Sequence, residues 1–337
     1  MNGRGGDERA LAAVVYNPVR VDVPRVRAAV EAAAAAAAAT GLNNDFDLLW
    51  LETTVEEGGQ AQAREALARG ASLVLAAGGD GTVRAVAEAL RGQDATLAVI
   101  PGGTGNLLAR NLGLPFASVE GASAIAFGGE TRRIDLGVAR ARRPDGSESE
   151  HAFLVMAGVG IDAAMIAGAR PSLKRRFGWL AYVDAAFRAL PTSTKVHVRF
   201  RLDHGDERSA HVSTILIANC GALPGNVELI PDAAIDDGLL DVAILQPATV
   251  FGWLAIWRKV TWENRVLRKS ALGRRIIRFT DRAVRTRLSY LRGESAQLEV
   301  DAPEPFELDG DAFGEILALD LRVDERGLRV KAPAATR

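Results

Sequence analysis

Four short segments of this 337-residue chain set glycines and polar side chains at the ends of apolar runs. The strongest is Leu73–Arg84, LVLAAGGDGTVR. An apolar run enters Gly78, Gly79, Asp80, Gly81 and Thr82, and a helical pattern follows directly through Val83 and Arg84. Glycines let a backbone turn tightly and come close to a ligand. N–H groups at a helix start favour phosphate oxygens. Asp80 adds a carboxylate at that point, suited to Mg²⁺ or to a hydroxyl proton. The second segment, Ile100–Leu114, repeats strand, glycines and helix as IPGGTGNLLARNLGL, with Thr104 and Asn106 beside the flexible backbone. Neither segment continues into Gly-Lys-Ser/Thr, and neither reads G-x-G-x-x-G. Together they form a phosphate-lined crevice if their strands are neighbours. Gly158–Ala163 does read G-x-G-x-x-A, but it lacks the βαβ setting that motif needs.

The third segment, Pro231–Val242, turns at Asp236-Asp237-Gly238; it is either a plain turn or a hard-cation site built on Asp237 and nearby carbonyls. The fourth, Phe306–Gly314 (FELDGDAFG), sets Asp309 and Asp311 about Gly310, the composition of a hairpin turn. Phosphoryl transfer is mainly positioning and charge neutralisation. Two glycine loops would hold nucleotide phosphates, and a carboxylate would take the proton of an acceptor hydroxyl.

The elements around these segments follow from periodicity. Apolar runs at Ala10–Tyr16, Phe46–Leu51, Ser72–Ala77 and Thr96–Ile100 alternate with helical patterns at Pro24–Thr40, Glu56–Arg69 and Thr82–Leu90. That alternation predicts a doubly wound, mostly parallel α/β domain over residues 1–130, with ligands beyond the carboxyl ends of its strands. From residue 131 to 333 strands dominate: Arg132–Ala139, Ala152–Met156, Lys195–Leu202, His211–Asn219, Leu240–Leu245, Gln297–Val300, Phe306–Leu308 and Leu328–Val330. This half reads as a β-rich, sandwich-like domain, interrupted by helical stretches at Trp179–Leu190 and between Val250 and Leu291. The expected active site is the cleft between the two domains.

Composition sets the class. Hydrophobic residues are 48%, charged residues 25% and the net charge is −1, which excludes a disordered or fibrous chain and a general electrostatic attraction to nucleic acid. A single cysteine, Cys220, and four histidines exclude a disulfide framework and a His-rich metal site. The polar N-terminal ten residues lack the apolar core of a signal peptide, so a cytoplasmic protein is expected.

GGDGT, PGGTGN, FLVMAGVGIDA, PDAAIDDGLLDV and LDGDAFG, in this order, resemble the diacylglycerol kinase catalytic-domain family of bacterial lipid kinases, actinobacterial members in particular. The resemblance runs from about Tyr16 to about Pro333. It implies an ATP-dependent kinase using Mg²⁺ and phosphorylating a lipid hydroxyl, diacylglycerol to phosphatidic acid first among them. GGDGT is shared with NAD kinases, so a soluble-metabolite kinase is one alternative and a non-catalytic nucleotide- or lipid-binding protein another. Asn17 matches a nucleotide-contact loop and Thr54, or Thr53, a contact after the second strand. Gly78, Gly79, Asp80, Gly81, Thr82 and Arg84 match the phosphate loop, and Thr104 and Asn106 lie in its partner. Ala234, Asp237 and Leu239 match a structural Mg²⁺ site to which Ala234 and Leu239 offer only carbonyls. Asp80 and Asp311 are the catalytic candidates; Asp311 stands where many members carry Glu in Asp-Gly-Glu, one methylene longer.

Residues 258–292 carry twelve Arg or Lys against two acids, preceded by Trp253 and Trp257. The segment is either a solvated face or a peripheral anchor on an anionic membrane, where the lipid substrate resides. No nucleic-acid module accompanies it. A homodimer is left open.

Overall fold

A computed structural model describes residues 9–40, 45–54, 58–160, 195–223, 227–228, 230, 233–245 and 288–334. The chain divides into two compact units, Met1–Ile134 with Gly327–Arg337, and Asp135–Arg326.

In the first unit β1 (Ala10–Tyr16), α1 (Val23–Ala38), β2 (Phe46–Glu52), α2 (Gln60–Ala68), β3 (Ala71–Gly78), α3 (Asp80–Leu90), β4 (Thr96–Pro101), α4 (Leu107–Asn111) and α5 (Val119–Gly128) follow one another. The strands read as nearly continuous apolar runs because both sheet faces are covered. Ala12, Ala13, Val14 and Val15 are all fully buried. Ala12 and Val14 share a core with Val26 and Val30 of α1 and Ala126 and Phe127 of α5. Helix α1 starts where Asp22 accepts a hydrogen bond from the Arg25 N–H at 3.2 Å, and it buries Val26, Val30, Ala34 and Ala37 on one stripe. β1 pairs in parallel with β2 and β3, and β3 in parallel with β4. The order β2-β1-β3-β4 therefore reverses direction at β1 and β3. A fifth parallel strand comes from the far end of the chain, where Arg329 and Val330 lie opposite Thr96 and Leu97.

The second unit is antiparallel. It contains β5 (Glu130–Arg142, which begins in the first unit), β6 (Glu148–Phe153), β7 (Met156–Val159), β8 (Val196–Leu202), β9 (Arg208–Val212), β10 (Thr214–Ala218), β11 (Ala222–Leu223), β12 (Val227–Glu228), β13 (Leu240–Leu245), β14 (Leu288–Gly293), β15 (Ser295–Leu308) and β16 (Asp311–Ala332). β7 pairs with β10 and β15, β13 with β10 and β14, and β15 with β16. β15 is irregular between Glu299 and Glu304: residues 296–300 pair with β8, and residues 306–308 with β7. Phe153, Phe306, Leu308, Ile316 and Leu319 fill the core.

The α/β and β-rich halves agree with the sequence reading, and several elements differ from it. The strands expected at Ala152–Met156 and His211–Asn219 are each broken, at residues 154–155 and at Ser213. Helix α3 begins at Asp80 rather than Thr82, because Gly79 is its N-cap. Residues 288–291, expected in a helical stretch, form a strand with Leu288–Gly293 paired to Leu240–Leu245. The short strands expected at 297–300, 306–308 and 328–330 are parts of the two long strands β15 and β16. The intervening residues of β16 include Ile316, Leu319 and Leu321, all buried in the core, so the strand runs on through a stretch whose polar residues alternate with apolar ones. The helical readings at 179–190 and 250–287 lie outside the described residues.

Candidate functional site

The reversal of strand order at β1 and β3 places a crevice beyond their carboxyl ends, the usual ligand position in an open α/β sheet. Three turns leave that edge side by side. Asn17 begins the first: its N–H donates to the Ala77 carbonyl of β3 at 2.9 Å, and its side-chain oxygen accepts from the Val19 N–H at 3.0 Å. Gly78-Gly79-Asp80 forms the second, and Gly102 to Asn106 the third. The Gly102 N–H donates to the Gly78 carbonyl at 2.8 Å.

The glycines here are required by close approach. A side chain on Gly103 would come 3.0 Å from Gly79 Cα, and one on Gly105 would come 2.5 Å from Asp80 Oδ2. Asp80 joins the two loops: Oδ2 accepts from the Asn106 N–H at 3.0 Å and Oδ1 from the Leu107 N–H at 2.6 Å. Asn106, at φ 49°, closes its own loop, accepting from the Gly103 N–H and donating to the Gly103 carbonyl. No side chain caps α3. The Gly79–Thr82 backbone thus supplies the donor-rich helix start that suits phosphate.

The remaining nucleotide candidates sort by exposure. Thr104 is exposed at the tip of its loop. Thr54 is exposed, whereas Thr53 is 4% exposed and its Oγ1 is buried without a hydrogen-bond partner among the described residues. Thr82 is buried against Gly78, where an added Cβ would meet it at 2.7 Å. Arg84 lies along α3, 3.4 Å from Glu88, which also accepts from Gln60. Its guanidinium is thereby drawn toward α2.

In the second unit, Asp309 and Gly310 take φ 51° and 86°, the left-handed pair of a tight two-residue hairpin, so Leu308 faces Asp311 across it. Asp309 is 6% exposed. Its carboxylate accepts from the N–H groups of Leu154, Val155 and Met156 at 2.8, 2.8 and 3.0 Å. It builds the turn; Asp311, the other carboxylate of the hairpin, is exposed. Replacing Asp309 with alanine strands those three N–H groups. The expected result is a loss of about 3 kcal/mol or more of folding stability, read as a lower denaturant midpoint; an unchanged midpoint would remove this structural role.

Asp237 sits in the turn that Gly238 completes at φ 73°. Burial holds its carboxyl above the ordinary range, and Asp241 and Asp135 push the same way against Arg292. Arg292 pairs chiefly with Asp241, at 2.9 Å, and stands 3.5 Å from Asp237. A partly buried carboxylate in a region of excess negative charge, flanked by the carbonyl-bearing Ala234 and Leu239, fits a hard cation such as Mg²⁺. No group of three or more acidic, His or Cys side chains is arranged around a metal among the described residues, so backbone oxygens and water would complete such a site.

Sequence reasoning passed over Asp135, which is fully buried in β5 and accepts from the Gly238 N–H at 2.8 Å and the Arg326 N–H at 2.7 Å. A lone aspartate between Ile134 and Leu136 was its only signal. Glu307, whose Oε1 is buried without a hydrogen-bond partner among the described residues, was also passed over.

Residues 22–139 match the model of the diacylglycerol kinase catalytic domain, and residues 155–330 that of the YegS C-terminal NAD kinase beta sandwich-like domain. The chain is 31% identical over 196 residues to a diacylglycerol kinase of Bacillus subtilis, covering 58% of this chain and 61% of that one. It is 32% identical over 181 residues to a diacylglycerol kinase of Mycobacterium tuberculosis, covering 54% and 57%. A Pseudomonas fluorescens protein named "Probable lipid kinase YegS-like" is 34% identical over 226 residues, 65% of this chain and 68% of that one. The matched region thus spans about six-tenths of the Bacillus and Mycobacterium relatives. A solved diacylglycerol kinase structure from Bacillus anthracis superposes with a TM-score of 0.69 at 20% identity, covering 97% of this chain and 98% of that one. At that identity the likeness establishes the fold.

Proposed function

We propose that this chain, which belongs to the diacylglycerol kinase catalytic-domain family, is an ATP-dependent lipid kinase that transfers the γ-phosphate to a lipid hydroxyl, with diacylglycerol the leading acceptor and phosphatidic acid the product. The observation that carries the reading is the pair of glycine loops at the strand-order reversal, joined through Asp80 and opening on the uncapped start of α3. In this reading Gly78, Gly79, Gly81 and Thr82 give backbone donors to the nucleotide phosphates. Asn17, Thr54, Thr104, Asn106 and Arg84 border the same nucleotide. Asp80 keeps the loops at the spacing the phosphates need and is the acidic group of the crevice. Asp311 takes the proton of the acceptor hydroxyl.

Mg²⁺ neutralises phosphate charge when bound with the nucleotide. A second Mg²⁺, held by Asp237 with the carbonyls of Ala234 and Leu239, would stabilise the Asp236–Gly238 turn. No helix among the described residues is long and apolar enough to cross a membrane. The enzyme is proposed to reach its lipid peripherally, with the Arg-rich 258–292 segment as the basic surface; residues 258–287 of it lie outside the described residues.

The test is transfer of labelled phosphate from ATP, with Mg²⁺, to diacylglycerol, sphingoid bases, ceramide and phosphatidylglycerol in mixed micelles, beside soluble NAD. Labelled phosphatidic acid is the expected product. Transfer to NAD and to no lipid would replace the reading with a soluble-metabolite kinase, and transfer to neither would leave a binding protein.

A further inference from the structure

Four histidines scattered along the chain predict no His-rich metal site, yet strand pairing brings two of them together. β8 and β9 run antiparallel with His197 directly opposite His211. Their ring centroids lie 4.8 Å apart, with the ring planes at 41°. On the other side of β8, Val198 faces Val300 of β15. One residue further along, His197 Nδ1 lies 2.7 Å from Asp301 Oδ2. His211, His197 and Asp301 therefore form one row across three strands.

The row stands on the solvent side of the sheet. Val196, Val198 and Phe200 of β8 are buried, so alternation sends His197 and Arg199 to the other face. The His197 side chain is 32% exposed and that of Asp301 57%, and His211 is exposed. A small ion can reach both rings, while the sheet fixes the strands that carry them.

Separation and orientation both suit a metal. An imidazole nitrogen binds zinc at about 2.0–2.1 Å. Each ring centre lies about 1.1 Å behind its nitrogen, so two imidazoles at about 90–110° on one ion have centroids about 4.5–5.2 Å apart. The observed 4.8 Å falls within that range. An ionised carboxylate only accepts, so His197 Nδ1 carries the hydrogen shared with Asp301, and Nε2 of the neutral ring keeps its lone pair. A carboxylate behind a histidine in this way fixes the tautomer of a metal ligand and makes it more basic. Arg199, next along the same face, lies 3.1 Å from Glu299 and 3.9 Å from Asp301, so two carboxylates meet its charge.

We infer that His197 and His211 form a surface site for a divalent transition ion of the Zn²⁺ or Cu²⁺ class. Asp301 is the positioning residue behind His197, and water completes the coordination. Two protein ligands agree with the absence of a three-ligand cluster among the described residues. Imidazoles select a different ion from the oxygen ligands of the Asp237 turn, which suit Mg²⁺. Among the described residues β9 pairs with β8 alone, so an ion bridging the two histidines pins the edge strand. The site does not depend on the lipid-kinase reading.

The experiment strips the purified chain with EDTA and titrates it with Zn²⁺ against a chromophoric chelator. Tm is read with and without the ion. Wild type, His197→Gln, His211→Gln, Asp301→Asn and His204→Gln are compared. Wild type should take up one Zn²⁺, which an equal concentration of Mg²⁺ does not displace. His197→Gln and His211→Gln should lose it or bind it about tenfold or more weakly, and Asp301→Asn should bind about 10- to 100-fold more weakly. His204→Gln should bind as wild type does. Saturating Zn²⁺ should raise the wild-type Tm by about 2–4 °C and leave that of His211→Gln unchanged. A wild type that binds no Zn²⁺, or a His211→Gln chain that binds it as tightly as wild type, overturns the site. Unchanged affinity in Asp301→Asn overturns the positioning role. Should the variants fold poorly, electron paramagnetic resonance of the wild type with one Cu²⁺ decides. Coupling to two imidazole nitrogens supports the site, and coordination by oxygen alone sinks it.

Discussion

Asp80→Asn lowers kcat for lipid phosphorylation by an expected factor of about 100 or more, equivalent to about 2.7 kcal/mol of lost transition-state stabilisation. The residue holds two loops by two hydrogen bonds from backbone N–H groups, at 3.0 and 2.6 Å. An asparagine keeps the shape but can offer its oxygen to only one of them. Its NH₂ then faces the other N–H, donor against donor, in a space so tight that Gly105 has no room for a Cβ. The third turn is pushed away from the second, and nucleotide phosphates lose the spacing the transferring geometry needs. ATP should still bind, with a Kd raised about tenfold, because one weakened contact is worth about 1.4 kcal/mol. Turnover suffers more, since a small displacement that binding tolerates is felt at the reacting atoms. The check is labelled-phosphate transfer beside nucleotide titration on a variant with wild-type circular dichroism. Near-normal kcat would remove the central claim about this loop.

Asp311→Asn should abolish most turnover by a different route, with kcat down about 100- to 10,000-fold and Kd for ATP within a factor of two or so. Asp311 is exposed at the hairpin, in a position fixed by Asp309 rather than by its own side chain. Removing its charge should therefore leave the fold intact and, in the proposed mechanism, take away the acceptor of the hydroxyl proton. Asp311→Glu, one methylene longer, should keep activity within about tenfold, because the carboxylate is retained on a flexible stem. The loss should appear in kcat and not in Tm. A folded Asp311→Asn enzyme at wild-type rate would assign the base elsewhere.

The two groups differ in how readable they were. Asp80 and Asp311 stood out because an aspartate beside glycines at the end of an apolar run is a local pattern, visible within a dozen residues. The contacts that explain them are not local. Asp80 meets N–H groups of Asn106 and Leu107, 26 and 27 residues on, and Asp309 meets those of residues 154 to 156, more than 150 residues back. Thr53 and Thr54 could not be separated by type; burial of one and exposure of the other separates them. Asn106 looked like a ligand contact from its amide, and that amide proves to close its own loop. Glu307 carries no motif of its own, and only the burial of its Oε1 without a hydrogen-bond partner among the described residues distinguishes it.

By itself the sequence determined the alternation of strand and helix in the first 130 residues, the β-rich character of the rest, and the glycine loops at strand ends. Those are short-range properties: apolar periodicity, helix capping and the conformational freedom of glycine act within a few residues. Only the tertiary structure decided that β1 and β3 are neighbours at a reversal of strand order, that the last strand supplies a fifth parallel partner beside β4, and that residues 288–293 are a strand. Pairing is set by hydrogen bonds and side-chain packing between segments far apart in the chain, and a single strand's sequence does not name its partner. The same holds for charge. Asp135, Asp309 and Glu307 are all acidic residues in strands or turns, and what separates them is the number of N–H donors that the fold brings to each.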